Sequence, residues 1–177
     1  MWNSLKSFFA PSETVQPVKV HAGDEPYNLV TFRLGKAVAP DEAFHARFSG
    51  DVGRMVAALD VKTNPIDRHF LLLSLVQETY KRRSQLEMAA FCADTAELHL
   101  REFPGLVGPL QEDFGILPRV PTFQYYATLL TQRGDFEKAI NVCQAAIKYG
   151  LKDGTKSGFD GRIKRIQKAQ SLLKEDA

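Results

Sequence analysis

Apolar positions along the chain change period near residue 41, and the change separates two kinds of predicted structure. Upstream, Val18-Lys-Val20 and Leu29-Val-Thr-Phe-Arg-Leu34 are strand-like in content, and the turn-like Ala22-Gly-Asp-Glu-Pro26 between them suggests a small β-hairpin. Pro11, Pro17, Pro26 and Pro40 each remove a backbone donor, so no long helix is expected there. From Asp41 the spacing becomes helical, with short pieces over 41–48 and 51–59 parted by Ser49-Gly50. Asn64-Pro65 is a capping residue followed by a first-turn proline, and it predicts a long helix to about Arg83 with Phe70, Leu73, Val76 and Tyr80 on one face.

A second helix is expected from about Gln85 to Phe103, stopped by Pro104-Gly105. Residues 104–120 hold three prolines and three glycines, yet also Leu106, Val107, Leu110, Phe114 and Ile116, which predicts an ordered, partly helical insert. Pro121 starts a helix to about Arg133, Gly134-Asp135 turns the chain, and residues 136–149 form its partner. A last helix begins near Ser157, where Ser157 and Asp160 have capping-box spacing, and carries Phe159, Ile163, Ile166 and Leu173 on one face. The expected fold is mainly α: antiparallel helical hairpins with a capping helix, after an irregular N-terminal region with a small hairpin. Residues 1–64 form that region with its short helices and 65–177 the helical domain, the whole being one compact unit.

Composition adds little to this picture. With 177 residues, 44% of them hydrophobic and 25% charged, the chain can bury a core without metal or disulfide support. A net charge of +2 does not by itself point to nucleic acid or membrane. Cys92 and Cys143 sit within helix-like apolar patterns and read as reduced core residues. No stretch approaches the roughly 18 apolar residues of a membrane span, and the first ten residues lack the long apolar centre of a secretory signal, so a cytoplasmic protein is expected. Trp2, Leu5, Phe8 and Phe9 fit one amphipathic turn, read as tucked onto the core rather than onto a membrane surface.

Two successive helical hairpins call for a search for repeats. In residues 122–148 the large side chains Phe123, Tyr126, Leu130 and Phe136 alternate with the small Ala127, Ala139 and Ala146. Antiparallel helices approach closely where small residues meet, with large ones filling the gaps around them. In this spacing the segment 121–153 resembles a tetratricopeptide repeat, with Gly134-Asp135 at the inter-helix turn, Cys143 in a slot usually aromatic and Leu151 in place of the terminal proline. A degenerate unit over about 70–103 places Leu73, Val76, Gln77 and Tyr80 on one helix and Leu86, Ala89, Ala93 and Ala96 on the next, around Ser84. The plainer alternative is a helical bundle whose small residues are only packing points.

The resemblance implies a concave groove lined by the first helix of each pair. Its slots hold Ser74, Glu78 and Lys81 in the weaker unit and Gln124, Thr128, Thr131 and Gln132 in the stronger one. This set is polar and lacks the lysine and asparagine pattern with which some members of the family clamp a terminal carboxylate. The leading expectation is a non-catalytic protein-interaction module or adaptor for a protein or peptide, with self-association left open because two units make a short groove. A second reading is a basic accessory factor touching nucleic acid through Arg162, Lys164, Arg165 and Lys168, in a segment where eight basic residues between Lys148 and Lys174 face two aspartates. The third is a small enzyme with an unrecognised site. His21, His45, His69 and His99 show no metal-ligand spacing, Cys92 and His99 supply only two ligands, and Lys152-Asp-Gly-Thr-Lys-Ser-Gly158 lacks the preceding strand of a phosphate loop, so neither cofactor nor metal is expected.

Overall fold

A computed structural model describes residues 30–175. The expected Val18–Val20 strand and the turn at Trp2, Leu5, Phe8 and Phe9 lie outside the described residues. The fold is mainly helical with one small antiparallel sheet, as expected. Among the described residues no helix is long and apolar enough to cross a membrane.

The sheet pairs β1 (Thr31–Arg33) with β2 (Lys36–Val38) in the register Thr31 opposite Val38 and Arg33 opposite Lys36. Strand β1 falls inside the predicted Leu29–Leu34 run, but its described partner follows it in sequence and had not been predicted. The two-residue turn has positive φ at both Leu34 (53°) and Gly35 (70°), which matches strand twist and suits the glycine far better than the leucine. Leu34 is held there by its environment. Its side chain packs on the main core and its amide donates to the Asp113 carboxylate at the far end of a helix.

Helices α1 (Glu42–Phe48) and α2 (Val52–Ala57) start where Asp41 and Asp51 accept first-turn amides, and a single 3-10 turn, Ala58–Asp60, follows. Helix α3 (Pro65–Lys81) opens on Asn64, whose side chain accepts from the Asp67 amide. Helix α4 (Leu86–Phe114) is followed by α5 (Pro121–Gln132), α6 (Phe136–Lys148) and α7 (Gly158–Glu175). At the start of α7 the hydroxyl that accepts a first-turn amide is Thr155's, from Gly158, whereas Ser157 Oγ accepts from Arg165. Phe159 and Ile166 of α7 are buried as expected, but Leu173 is exposed.

The expected stop at Pro104 is wrong: α4 continues through Pro104 and Pro109 to Phe114, and only 115–120 form a connection. Each internal proline costs about 3 kcal/mol in a helix. Phe103, Leu106 and Leu110 become buried on this helix, and each such burial contributes roughly 1.5–3 kcal/mol. Packing is therefore large enough to offset the local penalty, and the helix ends instead where Gly115 takes the left-handed conformation (φ 74°).

Helix α3 is buried on two sides. Leu71, Leu72 and Leu75 join Ala43, Ala46, Met55 and Val56 of the short helices and Phe91 of α4, while Ile66 and Val76 join the larger cluster built from α4 to α7. Arg68 ties this junction together, donating to both Glu102 oxygens at 2.8 Å and to the Leu59 carbonyl at 2.7 Å. Helix α3 also packs on α5, and α5 on α7. Tyr80 and Tyr125 stack across the α3–α5 contact with ring centroids 4.2 Å apart.

Candidate binding cleft

The extension of α4 past Pro104 builds a site. It carries Phe114 to the α3 face, where its ring meets Phe70 edge-on at 5.8 Å. Leu73, Ser74 and Gln77 continue that face one and two turns along α3, as helical spacing requires. The hairpin adds Arg33 from one side, and α1 adds Arg47 and Phe48. These eight residues line an open cleft of about 360 Å³. Phe48 is 68% and Phe114 44% exposed, so large apolar surface is left in contact with water at its rim.

Both charged residues in the lining are arginines, and they are held differently. Arg33 makes a forked ion pair with Asp67, Nε lying 3.2 Å from both carboxylate oxygens and Nη2 2.8 Å from Oδ1, and its Nη1 donates to Thr31 and to the Phe32 carbonyl. Asp67 sits behind the cleft, 1% exposed, and also accepts from Asn64 Nδ2 at 2.6 Å. Arg47 comes only to 4.0 Å from the same carboxylate, beyond hydrogen-bond reach. Its guanidinium is instead packed among the rings of Phe44, Phe48 and Phe70, at 4.9, 4.3 and 4.8 Å from their centroids. Its Nε is buried without a hydrogen-bond partner among the described residues. Burial lowers the Arg47 pKa, Asp67 opposes the shift and Arg33 adds to it.

Beneath this cleft lies a buried polar relay that the sequence did not reveal. His69 Nδ1 and His99 Nε2 are 3.0 Å apart, and His99 Nδ1 is 2.8 Å from Thr122 Oγ1 in the first turn of α5. Both imidazoles are fully buried beside Phe103. Burial, reinforced by Arg47, lowers the His69 pKa to about 4, and burial, reinforced by His69 and Arg68, lowers that of His99 well below its usual value. The relay joins α3, α4 and α5 within the core, and His69 Nε2 is buried without a hydrogen-bond partner among the described residues. The two residues are thirty positions apart, and the only sign of their meeting was that each lies on the buried face of its helix.

The predicted groove residues divide between separate places. Ser74 lines the cleft, whereas Glu78 and Lys81 pair with each other on α3. Gln124 accepts from Arg119 of the 115–120 connection at 3.0 Å, and Thr128 accepts from Arg162 of α7 at 3.1 Å, so this half of the expected groove is engaged by side chains of the protein itself. Thr131 donates to the Ala127 carbonyl, and Gln132 is exposed. Arg162 does not belong to an open basic patch: it is half-buried and reaches the buried Asp153 carboxylate at 3.3 Å, while Lys164, Arg165 and Lys168 remain exposed. Among the described residues no cluster of three or more histidine, cysteine or acidic side chains is placed to hold a metal.

Compared with protein-family models, with curated proteins and with solved structures, the chain matches none.

Proposed function

We propose that the protein is an interaction module that binds a polypeptide segment along the partly exposed face of α3, in the manner of the tetratricopeptide repeats that its second hairpin resembles. The observation that carries this reading is the open cleft beside Ser74 and Gln77, with exposed Phe48 and Phe114 at its rim. Exposed aromatic surface next to under-bonded arginine is the composition of interface centres, where aromatic residues and arginine contribute most of the binding free energy. The packing of α3 on α5 and of α5 on α7 supports the repeat-like reading, since such stacking leaves one face of the first helices free. The α5 half of that face is engaged by Arg162, so binding centres on α3.

The test is affinity capture with the purified full chain followed by the Ser74→Arg variant, which fills the cleft without touching the core. Partners held by the wild type are lost from Ser74→Arg and retained by Lys164→Ala. Retention by Ser74→Arg would remove the cleft from the account, and loss on Lys164→Ala would favour the basic helix face as the contact surface.

A further inference from the structure

Resting on that reading, we infer that the cleft recognises an internal aspartate or glutamate side chain that neighbours a large apolar residue in the bound segment. Two independent features specify these two parts of the ligand. The first is a donor deficit at Arg47. A guanidinium has five N–H donors and no acceptor. Arg33 uses its donors on Asp67, Thr31 and the Phe32 carbonyl, whereas among the described residues Arg47 has a buried Nε without a partner and a 4.0 Å approach to an acid already bonded to Arg33 and Asn64.

Charge points the same way. Arg33, Arg47 and Asp67 together carry an excess of one positive charge, and no acidic residue lines the cleft. Asp113 is the nearby exception, and it is engaged by the Leu34 amide outside the lining. An arriving carboxylate would give the Arg47 guanidinium a charged acceptor beside rings that leave its side chain only 13% exposed, and a charge-assisted bond shielded in this way is worth more than one on an open surface.

The second feature is the apolar rim. Phe48 and Phe70 flank Arg47, and Phe114 meets Phe70 across the cleft from a third element, so a carboxylate bound there sets its flanking residue against aromatic surface. Small inorganic anions would gain the charge contact but none of this burial. Arg47 and Phe48 come from α1, and Arg33 from the hairpin, so the specificity of the cleft lies with elements outside the repeat-like hairpins.

The test begins with a library of twelve-residue peptides displayed on phage with no free C-terminus, selected on the immobilised full chain. Enriched sequences contain an acidic position next to Phe, Leu, Ile or Met. The amidated synthetic peptide then loses about tenfold or more in affinity when its acidic residue becomes the amide or when Arg47 becomes Gln, and combining the two changes costs little more than either alone. The peptide change needs no alteration of the protein, so a folding defect in Arg47→Gln cannot decide the outcome. An enriched consensus with no acidic position, or affinity unchanged by neutralising it, overturns the inference while leaving the interaction module standing. Binding restored only by a free terminal carboxylate overturns it equally. Failure to select any peptide overturns both the inference and the proposed function.

Discussion

Lowering the pH from 7 to about 5 should destabilise this fold, because His69 and His99 are buried in the neutral form. Each is held below its unfolded pKa, so the unfolded chain binds protons that the native state refuses, and stability falls as pH drops through the unfolded value of 6.5 towards the folded one. For His69, with a folded value of about 4, the loss between pH 7 and pH 5 is about 2 kcal/mol, rising to about 3 kcal/mol below pH 4. His99 adds in the same direction. Protonating both rings would also turn two N–H donors against each other across the 3.0 Å contact, with Arg47 and Arg68 nearby.

Two carboxylates act below this window and a third opposes the histidines. Glu42 and Asp153 are held below their usual 4.5 and 3.8, so their contribution is present above those values and lost only below them, while Asp94, raised by burial, works in the opposite sense above 3.8. Urea unfolding of the full chain followed by circular dichroism at pH 7, 6 and 5 measures the effect. His69→Leu is less stable at pH 7, because His99 Nε2 loses its partner, but its loss between pH 7 and 5 is smaller by about 2 kcal/mol. A wild type whose stability changes by less than about 0.5 kcal/mol over this range, or a variant that falls as steeply as the wild type, would refute the reasoning.

Three further outcomes follow from packing. Phe103→Ala should cost about 3–5 kcal/mol in denaturant unfolding, since its fully buried ring contacts His69, His99, Phe123 and Tyr149; a cost below about 1 kcal/mol would show that the junction is not packed as described. Pro109→Ala should raise stability by about 1–3 kcal/mol by restoring a helical N–H and relieving the clash with the preceding turn, and a loss of stability would argue that α4 does not run through that position. Cys92 and Cys143 are buried free thiols whose pKa burial raises to about 11, so neither should react with a disulfide reagent at pH 8 until the chain unfolds; rapid labelling of the native protein would contradict their placement.

Helix positions were legible in the sequence wherever a cap and a period agreed. Asp41, Asp51 and Asn64 mark true starts, and the Gly134-Asp135 turn falls between α5 and α6. Helix α4 runs through the expected Pro104 stop because the burial of Phe103, Leu106 and Leu110, a tertiary quantity, outweighs local propensity. The expected stop hides the cleft, since Phe114 reaches Phe70 only on an unbroken α4. The other missing parts are long-range as well. Arg33 and Asp67 are thirty-four residues apart, and nothing in their spacing announces a pair. Ser74 lines the cleft at a slot that the repeat resemblance implies, while Thr128 and Arg162, which sequence places on separate surfaces, are joined by the fold.

The most direct test of the central claim is a nitrogen–proton correlation spectrum of the full chain, titrated with an amidated peptide carrying an acidic residue beside phenylalanine. The account predicts that shift changes concentrate at Arg33, Arg47, Phe48, Ser74, Gln77 and Phe114, around the cleft. Changes confined to Lys164, Arg165 and Lys168 on α7, or no saturable change anywhere, would contradict it.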